Sequence, residues 1–169
     1  MRRLLDSLYN AAAALAACFM VALLAMVLLS ITSRQLDFHV PGVDAYAGYM
    51  MAASGFLALA HTLKKGEHIR VTLLLNALRG APRKGLEVWA LAAASMLAVL
   101  FAWYSCKLTY DSWEFNDVST SSDGTPLWLP QLGMALGSVV FAIAFLDELV
   151  QELRGTRQQA DSGEALRNE

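Results

Sequence analysis

Two histidines, His61 and His68, have the most chemistry to offer in this chain, because paired imidazoles in a membrane protein can hold a haem iron. Seven residues apart with Gly66 between them, they do not face one another, and surface or interface positions suit them better. No His-Glu-x-x-His pair and no Cys/His cluster supplies a metal with its ligands. Lys65-Gly66-Glu67 is not part of a Gly-rich loop closed by Lys-Ser or Lys-Thr, so it cannot cradle a phosphate. No Gly-x-Ser-x-Gly elbow exposes a nucleophile. The sequence gives an enzyme no residue to work with.

The elements that carry these residues explain why. Of 169 residues, 56% are hydrophobic and 17% charged, and the mean hydropathy is +0.42, a balance wrong for a small water-soluble globule. No Asp, Glu, Lys or Arg occurs in 7–33, 45–63, 88–106 or 124–146. Each run holds about 19 residues or more, enough helix for the hydrocarbon core of a bilayer. The expected fold is all-α with four transmembrane helices, at about 9–31, 44–63, 86–106 and 127–149, in one domain over 1–154. The polar residues 155–169 form an expected disordered tail. The alternative, a soluble bundle of core helices, fails because each run is apolar on all sides. Carboxylates buried in a span mark ion and proton pathways, yet Asp44, Asp147 and Glu148 all fall at the ends of runs. The chain alone therefore makes a poor pump or channel.

Arg2 and Arg3 precede the first run, six Lys and Arg from Lys64 to Lys84 separate the second and third, and Arg154, Arg157 and Arg167 follow the fourth. The other two connections hold only Arg34 and Lys107, so both termini are expected in the cytoplasm. No basic field points to nucleic acid. Tyr46, Tyr49, Trp103, Tyr104, Trp113 and Trp128 fit an outer aromatic belt, and Trp89 an inner one. Leu15-Ala16-Ala17-Cys18 spells a lipoprotein cleavage pattern, but the sequence stays apolar after Cys18, which argues for an uncleaved first span. Cys106 belongs near the outer end of the third span, at a different depth from Cys18, so the two form neither a redox pair nor a disulfide.

Between the second and third spans lies a stretch too short and too charged to cross a bilayer. As a helix over about 67–79 it places Val71, Leu74, Leu75 and Leu78 on one apolar stripe, Ile69 on a smaller one, and His68 on a polar face. An interfacial helix seated on lipid is one reading. An ordinary loop whose leucines fold back on the bundle is the other. Small residues mark candidate helix contacts: Ala94 and Ala98 within a four-residue series from Ala90 to Ala102, Gly133 and Gly137 as Gly-x-x-x-Gly, and Gly48 with Ala52. These faces serve contacts within the chain or with another subunit.

Several of these residues together resemble the small membrane subunit, DctQ-like, of tripartite ATP-independent periplasmic (TRAP) transporters. The resemblance rests on Arg34 after the first span, Asp44 at the start of the second, Lys65-Gly66-Glu67-His68-Ile69-Arg70-Val71 with Leu74 following, and Pro126-Leu127-Trp128-Leu129-Pro130 before a span with Gly133 and Gly137. It covers about 5–153. Two departures stand out: Thr72 replaces the acid common after that valine, and Asp44 stands where Glu is more usual. The resemblance implies four spans with cytoplasmic termini in a bacterial inner membrane and no cofactor. It implies as partners, besides the lipid bilayer, a large multi-span permease subunit and a periplasmic substrate-binding protein that delivers an organic acid, in a transporter that is sodium-coupled. The small subunit then looks like a scaffold for the large one. The readings that compete with it are a stand-alone homo-oligomeric transporter or channel, with the Gly133/Gly137 face as self-contact, and the membrane anchor of a redox complex.

Overall fold

A computed structural model of the chain describes residues 2–38, 40–65, 81–121 and 124–154. They form four helices, α1 (Arg2–Gln35), α2 (Val43–Lys64), α3 (Ala81–Glu114) and α4 (Trp128–Leu153), in an all-helical fold. Three contain stretches long and apolar enough to cross a membrane: Leu4–Gln35, Gly85–Glu114 and Trp128–Leu153. Helix α2 falls short of them because Tyr46, Tyr49, Ser54, His61 and Thr62 dilute its apolar residues. It is also the most enclosed helix, with Ala53, Ser54, Leu57, Ala60 and Leu63 buried. A helix flanked by protein needs less apolar surface than one bathed in lipid.

The helices stand in the order α1, α2, α4, α3, with only a slight contact between α1 and α4. Between α2 and α3, Phe56 stacks on Phe101 with ring centroids 5.8 Å apart. The start of α1, the end of α2, the start of α3 and the end of α4 lie at one end of the bundle, here the terminal end; the α1–α2 and α3–α4 turns lie at the other, the turn end.

Each seam follows steps of three and four residues. On α1, Tyr9, Ala12 and Ala16 are buried and Phe19, Leu23 and Met26 half-buried. On α3 the buried seam is Ser95, Ala98, Ala102, Ser105, Thr109 and Ser112. A strict four-residue step turns about 400°, so it drifts about 40° per step around the helix. That drift leaves Ala90 exposed and Ala94 half-buried, while Ala98 and Ala102 stay in the seam. Two of the seam hydroxyls bond to helix carbonyls: Ser95 Oγ donates to the Leu91 carbonyl at 2.7 Å, with the Phe145 carbonyl of α4 at 3.3 Å, and Thr109 Oγ1 donates to the Ser105 carbonyl at 2.9 Å.

Helix α3 runs eight residues past Cys106, where its charge-free run stops, because the small buried seam continues through Thr109 and Ser112. The α3–α4 connection thus starts at Phe115, later than the end of the third span at about 106 that the charge-free run indicates. Helices α1 and α3 end alike. Asp37 (φ 52) and Asn116 (φ 51) take the left-handed conformation, and the next N–H bonds back five residues, Phe38 N to Ser33 O at 3.1 Å and Asp117 N to Ser112 O at 3.0 Å. At the start of α2 the cap is Gly42 (φ 82), with no side-chain cap; Asp44 lies inside the first turn, where its charge favours the helix dipole. Pro130 sits in the first turn of α4, which needs no N–H from it.

The α3–α4 connection closes on itself through Ser119 N to Thr125 O at 2.8 Å and Leu127 N to Asp117 O at 2.9 Å. It is tied to α2 by Tyr46 Oη with Thr125 Oγ1 at 3.0 Å and by Tyr49 Oη donating to Ser119 Oγ at 2.9 Å. Each bond contributes about 1 kcal/mol. Tyr46→Phe with Tyr49→Phe is expected to raise amide exchange at Ser119 and Leu127 roughly tenfold while helix exchange stays unchanged.

Candidate assembly surfaces

At the terminal end, three helices meet in a polar knot. Lys64 Nζ of α2 donates to Asp147 Oδ2 of α4 at 2.6 Å, and Gln151 Nε2 donates to the same oxygen at 2.8 Å. The ammonium also lies 5.5 Å from the ring centroid of Tyr9 on α1, in cation–π range. With side chains only 24% and 18% exposed, this pair is partly desolvated. Tyr9 itself is 2% exposed, and its hydroxyl has no hydrogen-bond partner among the described residues. A cleft of about 410 Å³ opens here, lined in part by Asp6, Asn10, His61, Lys65 and Glu148. The one charge that α2 contributes near its end is thereby neutralised by α4.

At the turn end, Arg34 lies 3.7 Å from Asp44, and Ser30 Oγ donates to Asp44 at 2.9 Å. Both charged side chains are more than three-quarters exposed (77% and 78%), so this pair holds α1 to α2 only weakly. Beside it a cleft of about 520 Å³ runs between the α1–α2 turn and Ser121.

The small residues divide between two environments. Gly133 and Gly137 of α4 face α2: a Cβ on Gly133 would stand 2.8 Å from Ala53 Cβ, and one on Gly137 would stand 2.5 Å from the carbonyl carbon of Phe56. Gly48 and Ala52 point away from the bundle, with open space at Gly48. Ala98 packs with Ala102 and Ala142 between α3 and α4, beside half-buried Ala94. Gly66, His68, Ile69, Val71, Leu74, Leu75 and Leu78 lie outside the described residues, as do residues 155–169. The Lys64–Asp147 tie is the main feature that sequence reasoning missed. Its signal was present: Lys64 ends one charge-free run and Asp147 ends another, so both stand at the same end of parallel helices.

The two outer helices are dressed differently. On α3, Trp89, Trp103, Tyr104, Tyr110 and Trp113 are all exposed. On α1 the exposed large residues are aliphatic, from Leu4 to Ile31, and only 6% of its most apolar stretch is buried.

Residues 23–155 match the family described as tripartite ATP-independent periplasmic transporters, DctQ component. Among curated proteins, none matches the chain.

Proposed function

The chain belongs to the DctQ-component family of tripartite ATP-independent periplasmic transporters, a TRAP small membrane subunit rather than a member of an enzyme family, and from that membership we propose that it is a non-conducting scaffold. In this reading α2 is a fourth span, completed by its neighbours, and residues 67–79 form a helix lying on the inner membrane surface. Both termini face the cytoplasm of a bacterium, a reading that the Lys and Arg distribution supports. The partners are a large permease that holds the substrate and coupling-ion sites, and a periplasmic protein that delivers an organic acid. Sodium is the proposed coupling ion.

The observation that carries the scaffold role is the way the bundle uses its polar groups. Seam hydroxyls bond to helix carbonyls, the Lys64–Asp147 pair sits at one end, and the stretches between the ends hold no charge. Such an interior offers rigidity and no relay for an ion. A homo-oligomer built on Gly133 and Gly137 is disfavoured, because α2 of the same chain already occupies that face.

Affinity purification from native membranes in mild detergent tests the reading. A large multi-span permease recovered in roughly equal amount is the expected result; a homo-oligomer alone that transports organic acid in liposomes would overturn it. In the same assay, Leu74→Glu with Leu75→Glu is expected to cut recovery of the permease at least about fivefold, since two membrane-seated side chains become charged. Unchanged recovery would remove the surface helix from the proposal.

A further inference from the structure

We infer that the α1 edge of the bundle is the face that receives the large permease, through at least one transmembrane helix of that subunit, while the α3 edge faces lipid. The inference rests on the scaffold reading and adds the surface by which it works.

The two edges differ in the residues that report lipid contact. Trp and Tyr gather where a helix surface meets the headgroup layer. Helix α3 exposes Trp89 near one end and Trp103, Tyr104, Tyr110 and Trp113 toward the other. From Trp89 to Tyr110 is about 31 Å at helical rise, close to the thickness of the hydrocarbon core. Helix α1 has two aromatics between Leu4 and Gln35, and both turn inward: Tyr9 is buried and Phe19 half-buried. A lipid-facing helix with no anchor on its exposed side is the less expected arrangement. One covered by protein needs none.

The exposed side of α1 also has a seam. Ala11, Ala14, Cys18, Val21, Ala25 and Leu28, all exposed, repeat the steps of the inner seam displaced by two residues, about 200° around the helix. Alternating steps of three and four keep a partner helix in register along a left-handed crossing. Side chains this small let two backbones approach, which is how helices gain packing energy in lipid. A helix docked along the seam from Ala11 to Leu28 covers a strip on the order of 26 Å by 10 Å. That is about a third of the 800 Å² per partner of a stable interface, so the α1 edge is the central strip of a wider contact with the permease.

The test uses the full chain co-expressed with the permease, with a benzophenone photoprobe replacing either Val21 on the α1 edge or Leu100 on the α3 edge. Irradiation of membranes is expected to join the Val21 probe to the permease at least about tenfold more than the Leu100 probe. Ala14→Trp with Ala25→Trp is expected to lower permease recovery at least about tenfold, with Leu100→Trp unchanged and the thermal unfolding of each isolated variant as in the parent. Cross-linking from Leu100 alone, equal cross-linking from both, or cross-linking of Val21 only to a second copy of this chain would overturn the inference and leave the scaffold reading standing. Absence of any permease with the unmodified chain would instead overturn the scaffold reading, and the inference with it.

Discussion

Gly137→Leu is expected to prevent α2 and α4 from closing, and even Gly137→Ala should lower stability by about 1–3 kcal/mol, the usual cost of overpacking a filled site. The atoms that a new Cβ would meet are the carbonyl carbon and oxygen of Phe56, at 2.5 and 2.6 Å. These are backbone atoms in a helix and cannot rotate away, so one helix must move as a unit. Gly133→Ala meets mainly the Ala53 Cβ, at 2.8 Å, and should cost less. Gly48→Ala is the control: it adds a methyl in open space and removes the helix cost of glycine, a gain of up to about 1 kcal/mol. Thermal unfolding of the purified chain in detergent should rank Gly137→Leu lowest, then Gly137→Ala, Gly133→Ala, the parent and Gly48→Ala. A Gly137→Ala variant as stable as Gly48→Ala would show that the helices are not packed at that distance.

Lys64→Met should be nearly as damaging, for an electrostatic reason. It leaves Asp147 with only the Gln151 amide on an oxygen that the ammonium holds at 2.6 Å, in a position 18% exposed. Breaking a buried pair costs about 3–5 kcal/mol and an exposed pair about 0–1, so a partly desolvated pair should fall at roughly 2–3 kcal/mol. Lys64→Met with Asp147→Leu should recover most of that loss, because no charge is then stranded at the helix ends. Thermal unfolding of the two single variants and the double variant closes the cycle. Additive losses would show that the ion pair, despite its geometry, contributes no coupling.

Much of the fold was legible because charge is expensive in lipid. The charge-free runs located four helices, and their edges put Lys64 and Asp147 at one level. What they could not locate was where a helix stops. Helix α3 continues through Lys107, Asp111 and Glu114 because its seam of small side chains persists through Thr109 and Ser112 while the charges stand off that seam. The Gly133/Gly137 motif was readable as a close contact, but its partner was not, since Gly48 and Ala52 carry the same local pattern and face outward. Small size permits an approach without naming what approaches. The two seams of α1 were hidden for a related reason: in an alanine-rich helix, apolar periodicity is nearly flat, and only the neighbouring helix distinguishes the side that is covered.

The order α1, α2, α4, α3 has a consequence for biogenesis. Each hairpin joins helices adjacent in sequence, so α1 with α2 and α3 with α4 can close as soon as each pair leaves the ribosome. Contacts between the hairpins run chiefly along α2 and α4, where Gly133, Gly137 and the Lys64–Asp147 pair all lie. Docking of finished hairpins is then the late step, and it is the step that a bulky residue at 137 blocks. The same bulky side chain would meet the same Phe56 backbone in a contact between two chains, so the product of such a variant is a chain of two closed hairpins left undocked rather than an exchanged dimer or an unfolded monomer.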